Sequence, residues 1–202
     1  AEIVHIRRSP AEFREYSGFT IISSDCGDDE AAMIPADLAI CPDCLRELYD
    51  RHDTRYQHPF ISCMVCGPRY TIIDRIPYDR ENTSMVDFPM CRYCEDQYTD
   101  LHDRRHHAQT ISCHGCGPQL LWKTRTTSCD MTYVPEDMTG DEHRSRNSAI
   151  LDSAADILKN GGVIAFKSVG GYNLVADPLC DEAVHKLRTI KKRESKPFAV
   201  MF

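Results

Sequence analysis

Four Cys-x-x-Cys pairs constrain the fold of this chain more than any other feature. They are Cys41/Cys44, Cys63/Cys66, Cys91/Cys94 and Cys113/Cys116. The stretches between successive pairs contain 18, 24 and 18 residues. A shift of 50 residues superimposes 41–68 on 91–118 with twelve identities in twenty-eight positions. Such a repeat predicts two copies of one small unit, which we call the first module (41–68) and the second module (91–118).

Each module carries the ligand set of a structural zinc site. Zinc binds four thiolates in a tetrahedron with Zn–S distances of about 2.3 Å, and each Cys-x-x-Cys turn supplies two of them. A unit of this size buries too little apolar surface to fold without a bound metal. We therefore predict two structural zinc ions, one in each module and together held by all eight cysteines. Disulfides and an iron site or cluster are the alternatives.

The repeat also bears on how the cysteines pair. Its symmetry favours sequential pairing, with each module forming its own site, but a nested pairing of outer with inner pairs stays open. Gly67 and Gly117 follow the last cysteine of each module, which predicts a tight turn whose amides approach the sulfurs. A site closed by four cysteines has no open coordination position, so it indicates a scaffold and not a catalytic metal.

The remaining cysteines and the histidines are expected to be outside the metal sites. The histidines in this region are His52, His58, His102, His106, His107 and His114. Because eight cysteines already satisfy two ions, we interpret these histidines as surface or outer-shell residues. The repeated His-Asp-x-Arg at 52–55 and 102–105 is expected to brace the modules. Cys26, Cys129 and Cys180 are interpreted as ordinary small side chains.

Composition excludes several classes of protein. The chain has 202 residues, 42% hydrophobic and 27% charged, as is typical of an ordinary globular protein. No apolar stretch approaches the roughly 18–20 residues of a membrane span, and the first ten residues lack the pattern of a secretory signal. We therefore expect no membrane association and a cytoplasmic location. Acidic and basic residues balance between the cysteines, which disfavours nucleic-acid binding.

The flanking sequence predicts parts of other domains. Residues 1–24, with a strand beginning at Gly18, are interpreted as the tail of a preceding domain and a linker; 25–120 hold the two modules, and 121–147 form a linker. From 148 onward we expect an α/β domain. Its predicted elements are a helix capped by Ser148, strands at 163–167 and 172–176, a helix capped by Asp181 and a strand at 197–202. Because the chain stops within an apolar strand, we expect it to be a fragment.

A basic segment lies near the end of the chain. Residues 183–202 carry six Lys or Arg against one Glu, in a chain whose net charge is −7. A helix end with cations at its C-terminus and a phosphate or nucleotide site both agree with this pattern.

Two groups of motifs resemble one known family. The first comprises Cys41-Pro-Asp-Cys-Leu-Arg-Glu-Leu, Pro59-Phe-Ile-Ser-Cys-Met-Val-Cys-Gly-Pro-Arg-Tyr-Thr-Ile-Ile, Pro77-Tyr-Asp-Arg, Phe88-Pro-Met-Cys and His107-Ala-Gln. The second comprises Lys167-Ser-Val-Gly-Gly-Tyr-Asn-Leu and Leu187-Arg-Thr-Ile-Lys-Lys-Arg-Glu-Ser-Lys-Pro-Phe-Ala-Val-Met. Together they resemble the HypF family, the carbamoyltransferases of [NiFe]-hydrogenase maturation, in its zinc-finger region and the opening of its YrdC-like domain.

The resemblance implies a larger architecture and a reaction. An acylphosphatase-like domain would precede the zinc modules, with 1–24 as its last strand and linker. The YrdC-like domain would begin at 148 and continue beyond this chain into a Kae1-like domain. The family uses carbamoyl phosphate and ATP, with Mg²⁺, to form carbamoyl adenylate. It then passes the carbamoyl group to the C-terminal cysteine of the partner protein HypE.

The resemblance also implies nucleotide-binding residues. Lys191, Arg193 and Lys196 fall on the family's K-x-R-x-x-K-P element near the adenylate phosphates, and Lys167 falls on a strand-end element of the same pocket. Catalytic residues are not assigned. This chain departs from the family at Tyr172-Asn173, where Phe-His is common. Two other hypotheses stay open: a non-enzymatic zinc-ribbon module that binds protein or RNA, and a YrdC-type relative that makes threonylcarbamoyl adenylate.

Overall fold

The elements of the fold follow the predicted division into cysteine modules and an α/β segment. A computed structural model describes residues 5–13, 15, 17–18, 34–124, 134 and 137–201. Its helices and strands are α1 (Pro42–Tyr49), α2 (Arg92–Thr99), α3 (Gly140–Lys159), β1 (Val163–Ser168), β2 (Gly171–Ala176) and α4 (Asp181–Lys191). Three single-turn 3-10 helices lie between the modules, at Tyr70–Ile72, Arg80–Asn82 and Ser84–Asp87. Cys26, Cys129 and all but the first residue of the strand predicted from Gly18 lie outside the described residues.

The two modules begin with equivalent helices. Cys41 is the N-cap of α1 and Cys91 is the N-cap of α2, so each helix starts directly after the first cysteine of its module. Pro42 occupies the first turn of α1, where its missing N–H is not needed. The first helical turn brings Cys44 and Cys94 back towards these N-caps, and both residues are fully buried. Helix formation therefore brings the first pair of each module together.

Cysteines form the buried core of the first module and half of the buried core of the second. One buried cluster consists of Cys44, Cys63 and Cys66, with Ile61 packed against it. The second consists of Cys94, Ala108, Ile111 and Cys113. So few apolar side chains supply little hydrophobic stabilisation, which agrees with modules that need a bound metal.

Helix α3 begins earlier than the sequence analysis predicted. It starts at Gly140, with Thr139 as N-cap, and not after Ser148. Thr139 and Glu142 form a capping box: the Glu142 amide donates to Thr139 Oγ1 at 3.3 Å, and the Thr139 amide donates to Glu142 Oε2 at 2.7 Å. The predicted linker at 121–147 is therefore wrong for residues 140–147, which are helical.

The α/β segment has the predicted order of elements. Strands β1 and β2 form an antiparallel hairpin whose register runs from Val163 opposite Ala176 to Ser168 opposite Gly171. Helix α3 contacts β1, and α4 contacts both strands. Together with the cysteine modules, this segment agrees with the predicted order of two tandem four-cysteine repeats followed by the start of an α/β domain.

Two details of the α/β segment differ from expectation. Asp181 is the first residue of α4, and its N-cap is Cys180. The strand predicted at 197–202 is not formed over the described residues 197–201, where no neighbouring strand pairs with it. No helix in the described part of the chain combines the length and apolar character needed to cross a membrane.

Candidate metal centres

The eight paired cysteines form two groups of four sulfurs. Cys41, Cys44, Cys63 and Cys66 are the first cluster, and Cys91, Cys94, Cys113 and Cys116 are the second cluster. Within each cluster all four sulfurs lie within 4.8 Å of one another. The pairing is therefore sequential, with each module forming its own cluster. Among the described residues, these are the two groups of three or more His, Cys, Asp or Glu side chains close enough to share a metal ion.

The sulfur spacing fits a tetrahedral zinc ion. Four thiolates about 2.3 Å from a central zinc ion form a tetrahedron with edges of about 3.8 Å. In the first cluster Cys63 Sγ lies 3.7 Å from Cys41 Sγ and 3.8 Å from Cys66 Sγ. In the second cluster Cys113 Sγ lies 3.6 Å from Cys91 Sγ and 3.7 Å from Cys116 Sγ. These spacings exceed the roughly 2.05 Å of a disulfide bond, so the disulfide alternative is wrong for these eight residues.

The backbone supports the first cluster with amides from inside its Cys-x-x-Cys turns. The Cys44 amide donates to Cys41 Sγ at 3.5 Å, and the Val65 amide donates to Cys63 Sγ at 3.3 Å. The Gly67 amide instead donates to the carbonyl of Leu38 at 3.0 Å. Amides therefore approach the sulfurs of this cluster, but they come from Cys44 and Val65 and not from the glycine.

The glycines that follow the clusters are required for a different reason. A Cβ atom on Gly67 would lie 2.6 Å from Cβ of Ser62, and one on Gly117 would lie 2.7 Å from Cβ of Ser112. Gly67 also has φ = +104°, which side-chain-bearing residues rarely adopt. Both positions need glycine because the turn packs against the serine that precedes its last cysteine pair.

The buried sulfurs need positive charge to exist as thiolates. Burial raises the pKa of the Cys44 and Cys66 thiols, because a low-dielectric environment disfavours the charged form. A bound Zn²⁺ supplies the required positive charge directly and coordinates thiolate, its preferred sulfur ligand. The four-sulfur donor sets, their spacing and their burial all fit zinc.

Arginines from each module reach the cluster of the other. Arg55, in the first module, places Nη2 3.5 Å from Sγ of Cys94 in the second cluster. Its Nε donates to the carbonyl of Ser112 at 2.8 Å. Arg105, the equivalent residue of the second module, donates through Nε to the carbonyl of Ser62 at 3.0 Å, and its Nη2 lies 4.0 Å from Cys44 Sγ. The two modules therefore exchange equivalent contacts.

The His-Asp-x-Arg motif explains how the side chains of these arginines are oriented. In each module the Asp accepts the backbone amide of the Arg two residues later: Arg55 donates to Asp53 Oδ1 and Arg105 to Asp103 Oδ1, both at 2.7 Å. This Asx turn directs the side chain out of its own module. Both arginines are buried, with relative exposures of 1% and 2%. The motif braces the two modules against each other.

The first cluster has an additional ion pair. Glu47, on α1, accepts hydrogen bonds from both Arg104 and Arg105. Arg104 Nη1 also lies 3.2 Å from Cys44 Sγ. Burial alone would raise the pKa of Glu47, but the hydrogen bonds from Arg105 and Arg104 lower it to about 2. The second module has the neutral Gln97 at the position equivalent to Glu47.

The histidines lie outside both clusters. His52 and His102 are exposed, and His106 and His107 contact each other edge to face. His58 and His114 are buried at the junction of the modules, with ring centroids 5.0 Å apart. His58 Nε2 lies 3.0 Å from Ser112 Oγ. The buried pair joins the modules and does not ligate the clusters.

Two arginines of the connecting segment have no role in the sequence predictions: Arg69 is buried and Arg80 is half-buried. Arg69 donates to the carbonyls of Cys63 and Met64 at 3.2 and 3.1 Å, which holds the turn beside the first cluster. Arg80 Nη1 donates to the carbonyls of Gln109 and Ile111 at 2.8 and 2.9 Å in the second module. Arg69 follows a Gly-Pro turn and Arg80 is the first residue of a 3-10 helix, and neither position carries a periodic signal that would assign it a role.

The predicted nucleotide-binding residues lie at two places in the α/β segment. Lys167 lies near the end of β1, is exposed, and has Nζ 5.7 Å from the ring centroid of Tyr172. Lys191 ends α4, and Arg193 and Lys196 follow it. The guanidinium of Arg193 lies 5.3 Å from the ring centroid of Phe198.

Arg188, which is not among the predicted nucleotide-binding residues, shapes the loop that follows α4. Arg188 Nη1 lies within hydrogen-bonding distance of the carbonyl oxygens of Arg193, Glu194 and Lys196, at 3.2–3.3 Å. Lys192 caps α4 in the left-handed conformation, with φ = 49°. Arg188 therefore bends the chain so that the basic residues after the helix share one short loop.

Family models match most of the described chain. A model described as the HypF finger matches residues 40–73 and 90–122. The Sua5/YciO/YrdC model, described as telomere recombination, matches residues 156–202. The first match covers both clusters, and the second covers the α/β segment from within α3 onward.

Known proteins resemble the chain throughout. Carbamoyltransferase HypF of Synechocystis sp. is 50% identical over 201 residues, which are 100% of this chain and 24% of that protein. Probable carbamoyltransferase HypF of Methanocaldococcus jannaschii is 46% identical over 188 residues, 93% of this chain and 23% of that protein. The chain thus spans about a quarter of the length of these relatives.

Two solved structures have the same fold. A crystal structure of full-length HypF in the phosphate- and nucleotide-bound form matches with a TM-score of 0.68 and 45% identity, over 85% of this chain and 20% of that one. The crystal structure of T. kodakarensis HypF matches with a TM-score of 0.70 and 42% identity, with the same coverage of both chains.

Proposed function

This chain belongs to the HypF family, as its zinc-finger region and the start of its YrdC-like domain, and we propose that the full-length protein is a carbamoyltransferase. The observation that carries the proposal is the 50% identity over the whole chain with a carbamoyltransferase. The doubled four-cysteine module directly before a YrdC-like segment distinguishes this architecture from a zinc ribbon or a YrdC domain alone.

The proposed reaction activates a carbamoyl group. Carbamoyl phosphate, ATP and water, in the presence of Mg²⁺, yield carbamoyl adenylate with release of phosphate and pyrophosphate. The carbamoyl group then passes to the sulfur of the C-terminal cysteine of a HypE-type acceptor protein, with release of AMP and of the thiol proton. The reaction takes place in the cytoplasm and contributes to the cyanide ligands of the hydrogenase iron. A structure of a relative in the phosphate- and nucleotide-bound form supports nucleotide use by this family.

We assign nucleotide binding to the basic residues of the α/β segment. Lys191, Arg193 and Lys196 would contact the phosphates from the loop after α4, and Lys167 would contribute from the end of β1. Cations in a pocket shielded from water stabilise the negative charge that develops on an acyl phosphate and on the pyrophosphate leaving group. The left-handed cap at Lys192 and the hydrogen bonds of Arg188 hold the loop in a defined shape.

The zinc modules have a structural, interdomain role in this proposal. Each cluster already provides four ligands, so a bound zinc ion has no open position for substrate. Zinc supplies folding free energy there, while the side chains around it hold the modules together. The second module also contacts α3, the first helix of the α/β segment, through Asn147 and His114.

Pyrophosphate exchange tests the proposed reaction. The full-length protein should exchange pyrophosphate into ATP only when carbamoyl phosphate is present. Replacing Lys191 or Arg193 with Ala should lower the exchange rate by at least about tenfold, whereas Lys159→Ala, an exposed residue of α3, should leave it unchanged. Absence of exchange in the zinc-loaded protein would favour a non-enzymatic zinc-ribbon module. Exchange that requires threonine and bicarbonate would instead identify a threonylcarbamoyl-adenylate synthase.

A further inference from the structure

The arginines that contact the sulfurs of each cluster come from the opposite module. We propose that the two metal sites retain zinc as one coupled unit, in which Arg55 completes the second cluster while Arg105 and Arg104 complete the first. This inference rests on the zinc sites proposed above. It adds that each module supplies all four ligands of its own site but takes the cations around that site from the opposite module.

Arg55 carries the strongest part of the argument. The side chain is 1% exposed and donates to the Ser112 carbonyl at 2.8 Å and to Gln97 Oε1 at 2.7 Å, both of them neutral groups. None of the ion pairs among the described residues involves Arg55. A buried guanidinium without a counter-ion is strongly unfavourable.

The second cluster is the counter-ion that Arg55 needs. Its Nη2 lies 3.5 Å from Cys94 Sγ. Four thiolates around one Zn²⁺ leave a net charge of about −2 at the cluster. Hydrogen bonds from charged donors to such ligands are among the outer-shell contacts that tune metal affinity. The buried charge of Arg55 and the charge of the zinc-loaded second cluster therefore stabilise each other.

The opposite contact has a different charge balance. Arg104 Nη1 lies 3.2 Å from Cys44 Sγ, and Arg105 Nη2 lies 4.0 Å from the same sulfur. Both of these arginines also pair with Glu47, which lies beside the first cluster. Part of their charge is neutralised without zinc, so we expect the first cluster to depend less on Arg105 than the second depends on Arg55.

Coupling follows because each donor is positioned by its own module. The core of the first module consists largely of the cysteines of the first cluster. When these sulfurs lose zinc, the loop that carries Arg55 loses its support, and the second cluster loses its donor. The same reasoning applies in the opposite direction. Two sites linked in this way share a coupling free energy that is equal in both directions.

A competition experiment with site-resolved detection tests the proposal. Zinc-loaded full-length protein is exposed to increasing EDTA, total zinc is measured by metal analysis, and released thiols are alkylated and assigned by peptide mass spectrometry. Arg55→Gln should weaken zinc retention at the second cluster by about tenfold or more, with a smaller effect at the first. Arg105→Gln should weaken the first cluster more than the second.

Control and alternative variants keep the test decisive. Arg46→Gln removes an exposed arginine that pairs with Asp43, and it should change neither cluster. Arg55→Lys preserves the charge without the forked donor geometry, so it replaces Arg55→Gln in the test if that variant does not fold. It should also weaken zinc retention at the second cluster, but by less than Arg55→Gln. Replacing Cys91 and Cys94 with Ser should weaken zinc retention at the intact first cluster.

Three results would overturn the inference. They are a loss confined to the cluster of the mutated arginine's own module, no loss at either cluster, and an unchanged first cluster after removal of the second. A wild-type protein that binds no zinc would overturn the proposed zinc sites as well. Two occupied clusters that release zinc independently would instead overturn the coupling and leave the zinc sites standing.

Discussion

The side-chain amide of Asn147, in helix α3, lies 3.2 Å from Nδ1 of His114, which stands between the last two cysteines of the second cluster. His114 Nε2 lies 2.8 Å from the carbonyl of Tyr56, which can only accept, so Nε2 carries the proton and Nδ1 accepts from Asn147. Asn147 Oδ1 in turn accepts the Leu120 amide at 3.2 Å. These hydrogen bonds connect the turn between Cys113 and Cys116 to the first helix of the YrdC-like segment.

Removing this connection should loosen the junction between the second module and α3. Asn147 is fully buried, so Asn147→Leu leaves the partner groups on His114 and Leu120 unsatisfied, at a cost of about 1–3 kcal/mol in unfolding free energy. We expect faster amide hydrogen exchange over residues 140–148. Asp152→Asn, at an exposed position of the same helix, is the control and should leave exchange unchanged. Equal exchange rates in the two variants would show that α3 does not depend on this contact.

Zinc removal should unfold the cysteine modules selectively. Cluster cysteines make up the buried core of the first module and half of that of the second, whereas the β1–β2 hairpin and α4 contact each other without any of the eight cluster cysteines. Metal analysis of the native protein should give close to two zinc ions per chain, one for each cluster. After chelation, hydrogen-exchange protection should be lost over 41–118 and retained over 163–191. Native protein without zinc would contradict the assignment of the metal.

Loss of Glu47 should destabilise the first module strongly. Glu47→Gln leaves Arg105, which is 2% exposed, without its carboxylate partner. Removing one member of a buried ion pair costs about 3–5 kcal/mol, and the partial exposure of Glu47 places the expected loss near the lower end. Denaturant unfolding of the zinc-loaded protein measures this loss. Asp43→Asn breaks an exposed pair with Arg46 and should change stability by less than about 1 kcal/mol.

Gly117 and Gly170 provide a matched pair of glycine substitutions. Gly117→Ala places a Cβ atom 2.7 Å from Ser112 Cβ and 3.0 Å from the Cys113 carbonyl oxygen, so the turn beside the second cluster must shift. We expect a loss of about 1–3 kcal/mol in unfolding free energy, together with weaker zinc retention. At Gly170 a Cβ atom meets nothing within 4 Å, so Gly170→Ala should be close to neutral. Equal effects of the two substitutions would contradict the packing seen at Ser112.

His58 should make stability depend on pH. Burial, followed by the nearby His114 and Arg55, lowers the pKa of His58 from 6.5 to about 3. Because the unfolded chain binds this proton more readily, the stabilisation is complete above the unfolded pKa and is lost as pH falls from 6.5 towards 3. From about pH 7 to about pH 5.5, wild type should lose about 1 kcal/mol more unfolding free energy than His58→Asn.

The control for this pH dependence is His52→Asn, which replaces an exposed histidine of the same module. It should follow the wild-type curve, because the His58 ring is still present and buried. All three proteins must be compared with both clusters saturated with zinc, since protonation of thiolates also weakens metal binding. Parallel curves for wild type and His58→Asn would contradict a neutral buried imidazole.

The sequence predicts the modules well because their information is local. Cys41 and Cys44 lie within one helical turn, and the shift of 50 residues that maps the first module onto the second is visible without a structure. Strands β1 and β2 follow from apolar runs separated by Gly170-Gly171, and the structure places them where these runs occur. The start of α3 was also encoded locally, by Thr139 and Glu142, but its polar first turns hid the helix from a search for apolar periodicity.

By itself, the sequence determined that two equivalent four-cysteine units precede an α/β segment, because ligand spacing and alternation of apolar residues depend on near neighbours in the chain. Only the tertiary structure decided that the units exchange arginines. Arg55 meets Cys94 across 39 residues and Arg105 meets Cys44 across 61, and no local periodicity links such positions. The physical reason is charge burial. A guanidinium turned away from its own module is stabilised where folding brings it to the sulfurs or the carboxylate of the other.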